Sequence, residues 1–183
     1  MKIVTAPEPV LSQKAKPVNK VNKSIQRLIE EMKKTLLTAK DPVGVGLAAP
    51  QVGKSLQIFI AKPSDKSPFT VFINPSVTVL KELTTETPPP SKKKPQMKLE
   101  GCLSLPAIWG EVSRHPFLRV SYLNEKGQPQ NKSFKGFIAT IIQHEMDHLN
   151  GVLFPKRVLD QKGSLFKSKK GEKGEDTFHE IEI

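Results

Sequence analysis

Residues 137–149 constrain the fold most, because they combine an apolar helix with two metal-binding side chains. Phe137, Ile138, Ile141, Ile142 and Leu149 recur at three- and four-residue spacings, which predicts a helix buried on most sides. Gly136 precedes the run, and Gly151 follows it where a left-handed C-terminal cap is expected. Inside it lies Gln143-His144-Glu145-Met146-Asp147-His148. Residues four apart share one helix face, so both imidazoles can reach a single ion, with Glu145 beside it. This is the His-Glu-x-x-His arrangement of metal-dependent hydrolases. Phe137, Thr140 and Ile141 fall on the same stripe one and two turns earlier, a position from which they could line a pocket.

A catalytic site of this kind takes three protein ligands and keeps one position for water. One metallopeptidase pattern continues through Gly151 to a third histidine, but position 154 is Phe154. Glu172 and Glu175 lie downstream in a Lys- and Gly-rich tail with no helical period, and neither makes a convincing ligand. The chain has one cysteine, Cys102, so an internal disulfide is excluded. It sits in Glu100-Gly101-Cys102-Leu103-Ser104-Leu105-Pro106, poor company for a plain core residue. A thiolate is a strong ligand for iron, zinc or nickel. Cys102, His144 and His148 therefore make a three-ligand set with an open fourth position. A further segment, residues 44–53, places small residues around Gln51. It lacks the ending of a phosphate loop and the glycine spacing of a dinucleotide turn. It reads either as a turn before a strand at 56–61 or as backbone lying close to a ligand.

Together the three segments resemble the peptide deformylases. The Gly-x-Gly-x-Ala-Ala-x-Gln motif of that family is matched by residues 44–51, Glu-Gly-Cys-x-Ser by residues 100–104, and Gln-His-Glu-x-Asp-His by residues 143–148. Their order and separation agree, and the likeness covers roughly residues 1–160. The resemblance implies removal of the formyl group from the N-terminal methionine of new polypeptides. It implies a metal, ferrous iron in most of the family with zinc or nickel also accommodated, held by Cys102, His144 and His148. Such an ion acidifies bound water. Glu145 would act as general base and then acid. The Gln51 amide and the Leu103 backbone N–H would stabilise the oxyanion, each such donor contributing about 3 kcal/mol. Gly46 would offer backbone hydrogen bonds to the substrate, and Phe137, Thr140 and Ile141 would line the methionine pocket. Some relatives have an arginine seven residues after the cysteine that helps hold the peptide. Here that residue is Trp109, so this contact is not carried over.

At 183 residues the chain suits one catalytic domain, with residues beyond about 160 forming a basic tail. Ser24 is expected to cap a first helix with Ile25, Leu28, Ile29, Met32 and Leu36 on its buried side, ending near Ala39. Strands are expected at 71–74, 77–80, 119–124 and 130–134, with a hairpin turn at 125–127. Residues 81–99, with three prolines and three lysines in runs, read as a solvated loop. Residues 167–175 read as a turn and 177–183 as an edge strand of a C-terminal hairpin. Helix, strands and a buried helix indicate an α+β domain. The resemblance adds small, mostly antiparallel sheets wrapped around the central motif helix.

No signal-peptide or membrane-length apolar run occurs, so a cytoplasmic protein without membrane contact is expected, and a thiolate ligand suits a reducing compartment. The net charge of +11, mostly lysine, reads first as a solvated surface and second as attraction to the ribosome, which phosphate contacts would make salt-dependent. Few aromatics and no nucleic-acid motif argue against specific nucleic-acid recognition. Two rivals remain at this point: a peptidase cutting internal bonds, and a metal-binding protein without catalysis.

Overall fold

The computed structural model describes residues 1–40, 42–79, 99–170 and 175–182. Helix α1 (Lys23–Thr38) starts one residue after Asn22, whose extended backbone lets its side chain accept the Ile25 N–H at 3.0 Å. Ser24 is thus inside the first turn and is not the cap. Ile29, Met32 and Leu36 form its buried face.

Three strands follow: β1 (Gly46–Ala48), β2 (Ile58–Ala61) and β3 (Thr70–Val79), with a short 3-10 turn at Ala49–Val52 between the first two. The strands expected at 71–74 and 77–80 are one strand, with an irregular register between Ile73 and Ser76. Asn74 makes the break, with φ at 50° and a side chain that bonds both the N–H and the C=O of Val18 at 2.8 Å. Leu80 and the loop expected at 81–99, up to residue 98, lie outside the described residues.

Then come β4 (Leu99–Cys102), β5 (Leu105–Glu111), β6 (Phe117–Leu123) and β7 (Pro129–Lys135). Helices α2 (Phe137–Leu149) and α3 (Phe154–Asp160) precede β8 (Leu165–Lys170) and β9 (Asp176–Ile181). All pairings between these strands are antiparallel, in two sheets ordered β1-β2-β3-β6-β7 and β4-β5-β8-β9. The C-terminal hairpin is present as expected, but Lys167, Lys169 and Lys170 belong to its first strand and not to its turn. Lys167 and Lys169 project from one exposed face, so alternation outranks composition there. Residues 171–174, Glu172 among them, lie outside the described residues.

Strand β2 explains how the helices are held. All four of its residues are buried. Ile58 and Ile60 pack with Ile29, Met32 and Leu36 of α1. Phe59 and Ala61 pack with Ala139, Ile142 and Leu149 of α2. Strand side chains alternate, so one short strand glues a helix to each face of the sheet. Phe59 stacks on Phe72 with ring centroids 4.4 Å apart. Through His144 and His148, α2 reaches Glu100 and Cys102 of β4 in the second sheet, where Cys102, Phe154, Val158 and Leu165 form a smaller core. No helix among the described residues is long and apolar enough to cross a membrane.

Gly151 ends α2 as the sequence predicts. Its φ is 68°, the Val152 N–H bonds the Asp147 carbonyl at 2.9 Å, and the Gly151 N–H bonds the His148 carbonyl at 3.2 Å. A Cβ here would lie 2.7 Å from the Ser12 carbonyl carbon and 2.8 Å from the Gln13 nitrogen. Gly151→Ala would combine a left-handed alanine with a backbone clash, and is expected to cost roughly 2 kcal/mol or more. Urea denaturation of the metal-loaded protein checks this; an unchanged midpoint would refute the close approach.

Candidate active site

The second half of α2 carries the site. His144 and His148 sit one turn apart, and their face meets the end of β4, where Cys102 is 3% exposed. The pairing slips between Gly101, opposite Trp109, and Cys102, opposite Leu105, so the chain turns at the cysteine. The candidate ligand atoms of Cys102, His144 and His148 all lie within 4.8 Å of one another. Cys102 Sγ is 3.3 Å from His148 Nε2. A tetrahedral ion at ordinary metal–sulfur and metal–nitrogen lengths needs roughly 3.5 Å between such atoms. The donor set fits a divalent ion. The Ser104 N–H and the Gln51 side-chain amide point at the sulfur, at 3.4 and 3.6 Å, as suits a thiolate.

Gln51 is held in one orientation. Its Oε1 accepts the Ala48 N–H at 2.8 Å, which leaves Nε2 to donate towards Cys102 and Ser104 Oγ. Gly46, Gln51, Cys102, Leu103, Phe137, Thr140, Ile141, His144 and Glu145 all line one cavity of about 540 Å³. Every residue expected in the site thus borders the same space except His148, which is 1% exposed and lies behind it. Trp109 lines the cavity too. Phe154, where a peptidase pattern would place a third histidine, fills the core beneath the second sheet. Glu175 is exposed, in the linker before β9.

A buried charge network that the sequence reading missed holds the ligands in place. Glu100 Oε2 lies 3.1 Å from His144 Nδ1, leaving the other ring nitrogen for an ion. Arg114 grips Glu100 with two bonds, 2.8 and 2.9 Å, and reaches Asp147 at 2.7 Å. Arg157 of α3 bonds Asp147 at 2.6 Å. Asp147 carries a readable signal, since a carboxylate on a buried helix demands a cation. Nothing local to Ser113-Arg114-His115 marks Arg114 as that cation.

The network sets the ionisation of the site. Burial works against the Glu100 anion, but the hydrogen bonds of Arg114 and His144 outweigh it and hold this carboxyl down at about 2. Burial alone would lower the pKa of His144; hydrogen bonds to Cys102 and Glu100 reverse that and raise it well above its usual value. Burial, with the charges of His144 and Arg114, pushes His148 well below its own. Burial is also the main cause that lifts Glu145 from 4.5 to about 7, and its Oε2 finds no hydrogen-bond partner among the described residues. A carboxyl raised on folding withholds stability as it ionises. In chelator-stripped protein this contribution is intact below pH 4.5 and lost as pH rises through about 7. Stripped Glu145→Gln should therefore gain on stripped wild type by about 3 kcal/mol at pH 8 and by little at pH 4.5. Urea unfolding at the two pH values measures the difference; an equal gap at both would refute the shift.

Comparison with known proteins agrees with this chemistry. The sequence model of the polypeptide deformylase family matches residues 1–164. A peptide deformylase of Synechococcus sp. (strain CC9605) is 39% identical over 167 residues, 89% of this chain and 76% of that protein. Peptide deformylase 1 of Bacillus cereus is 37% identical over 158 residues, 86% of this chain and 92% of that protein. Among solved structures, a peptide deformylase from Synechococcus elongatus in complex with actinonin superposes with a TM-score of 0.71 at 37% identity, covering 86% of this chain and 78% of that one. The enzyme from Thermotoga maritima gives 0.70 at 36% identity, covering 86% and 96%. Likeness of this extent in sequence and backbone leaves one assignment: the chain belongs to the peptide deformylase family.

Proposed function

We propose that this enzyme removes the formyl group from the N-terminal formyl-methionine of nascent polypeptides, working as one catalytic domain. The observation that carries the reading is the convergence of three candidate ligand atoms beside the buried Glu145 carboxylate, whose Oε2 has no hydrogen-bond partner among the described residues, on the wall of an apolar-lined cavity. Cys102, His144 and His148 would hold the ion, and thiolate with imidazole suits ferrous iron, with zinc or nickel as substitutes. Bound there, the ion would supply Lewis acidity that lets water ionise near neutral pH.

Glu145 takes a proton from the attacking water and delivers it to the departing amine of the methionine. Burial favours its protonated form, and its side chain borders the cavity beside the proposed ligands. The Gln51 Nε2–H, aimed by the bond from Ala48, and the Leu103 N–H after the cysteine meet the oxyanion that develops on the formyl oxygen. The Gly46 backbone borders the cavity as a substrate partner, and Phe137, Thr140 and Ile141 form the methionine slot, which an unbranched, flexible side chain enters at modest entropic cost. The cytoplasm, where thiols stay reduced, is the compartment that suits Cys102. The charge of +11 supports transient contact with the phosphate-rich ribosome surface, without sequence-specific nucleic-acid binding and without membrane insertion.

The test is formate release from a formyl-methionyl peptide by protein loaded with iron without oxygen, with anomalous scattering to locate the ion. One ion within about 2.5 Å of all three ligand side chains is expected, together with stoichiometric formate and free amine. Internal cleavage of the peptide would overturn the reaction, an ion elsewhere would overturn the ligand set, and equal rates on formyl-glycyl and formyl-methionyl peptides would overturn the slot.

A further inference from the structure

Asn150-Gly151 is the one Asn-Gly pair in the chain, and it closes the helix that carries His144 and His148. An asparagine followed by glycine has a chemistry of its own. With no side chain on the second residue, its backbone nitrogen reaches the asparagine side-chain carbonyl unhindered. That nitrogen bonds to Cγ, the Cγ–Nδ2 bond breaks, and Nδ2 leaves as ammonia with the proton of the backbone N–H. Water then opens the cyclic imide at either carbonyl and leaves aspartate or isoaspartate. Water is the only other reactant, and Asn150 is exposed to it.

The folded helix end keeps the two reacting groups apart. Asn150 has ψ at 6°, which turns the Gly151 nitrogen away from the side chain, so ring closure needs this torsion to rotate. The Asn150 Nδ2–H donates to the Met146 carbonyl at 2.8 Å, and the Gly151 N–H donates to the His148 carbonyl at 3.2 Å. Neighbouring chain blocks the rotation too. Gly151 lies against the backbone of Ser12 and Gln13, and the Leu149 carbonyl accepts the Ala15 N–H at 2.8 Å. Reaction therefore requires the last turn of α2 to come away from the N-terminal segment. His148 belongs to that turn, and its Nε2 is 3.3 Å from Cys102 Sγ. An ion shared by these two side chains would tie the turn to β4 and oppose the opening.

We propose that Asn150 is a deamidation site gated by metal occupancy: metal-free protein opens at the end of α2, deamidates there, and loses its capacity to take up metal again. This rests on the ligand set proposed above. Isoaspartate inserts one more carbon into the backbone directly before Gly151, whose close approach to Ser12 and Gln13 leaves little room for a shift. Either product also removes the Nδ2–H donor from the Met146 carbonyl. Both changes fall on the turn that bears His148, so loss of the ion becomes irreversible with time.

Metal-loaded protein, chelator-stripped protein and a synthetic peptide of residues 146–153 are incubated in mildly alkaline buffer. Peptide mass mapping reads the exchange of NH2 for OH at residue 150, and chromatography separates isoaspartate from aspartate. The free peptide should react fastest, stripped protein about tenfold more slowly, and loaded protein about tenfold more slowly again. Aged and stripped wild type should rebind metal only in proportion to its unmodified fraction. Asn150→Gln and Asn150→Lys, treated alike, should rebind as much as when freshly stripped. An unmodified Asn150 in stripped protein after full conversion of the peptide overturns the site. Equal rates in stripped and loaded protein, with the ion on Cys102, His144 and His148, overturn the gating. Deamidated protein that rebinds metal in full overturns the consequence. An ion bound elsewhere overturns the ligand set on which the gating rests, whereas loaded protein that deamidates as expected but releases no formate overturns the deformylase reading alone.

Discussion

Glu145→Gln should leave the metal in place and lower kcat by a hundredfold or more. Glutamine has nearly the same shape, so the helix packing around this 3%-exposed position survives. Cys102, His144 and His148 are untouched, so metal content should stay at one ion per chain. What disappears is the carboxylate proposed to carry the proton from water to the leaving amine, and general acid–base catalysis of this sort contributes about 10²–10⁴-fold. The loss should fall on kcat and leave KM nearly unchanged, because the slot residues are intact. A variant that loses its metal would make Glu145 a ligand, and one that keeps near-normal turnover would remove it from the reaction.

Gly46→Ala should be almost as damaging, although it adds only one methyl group. A Cβ at Gly46 would overlap the Glu145 carboxylate, whose Cδ would be 2.9 Å away, and would lie 2.9 Å from Ile141 Cγ2. Ile141 is fixed in the core, so the carboxylate must give way. A displacement of about 1 Å at a reacting group can cost on the order of a hundredfold. The same methyl crowds the strand backbone where the peptide is expected to bond, so KM should rise as well, unlike in Glu145→Gln. Steady-state kinetics at full metal loading separate the two signatures. Wild-type rates in Gly46→Ala would mean that the carboxylate works from a different position.

The grouping of the candidate site residues was more legible than the strands around them, for a physical reason. His144, Glu145 and His148 follow one helical period, and Cys102 is chemically unlike everything near it, so local pattern suffices. Strands β4 and β5 were missed because Glu100, Gly101, Pro106, Ala107 and Gly110 have weak strand preference, and the pairing of β4 with β5 and of β5 with β8 overrides it. Helix α3 spans seven residues, too few for a period to show, and forms because Phe154 and Val158 bury against the second sheet. Asn22 and Ser24 are both good caps two positions apart, and the choice between them depends on where the first turn closes. Arg114 was invisible because its two partners are 14 and 33 residues away.

The Glu100–Arg114–Asp147 network has a further consequence for how the protein responds to its ionic surroundings. Its three side chains are 8–10% exposed, so dissolved ions hardly reach them. The exposed lysines of β8 have no such shelter, and added salt screens them over a distance of about 8–10 Å. Ionic strength would therefore act as a selective control: it would release any attachment to an anionic surface and leave the buried network undisturbed. Turnover of a short free peptide should hardly change between dilute and half-molar salt, whereas any attachment through the lysines should be released over the same range.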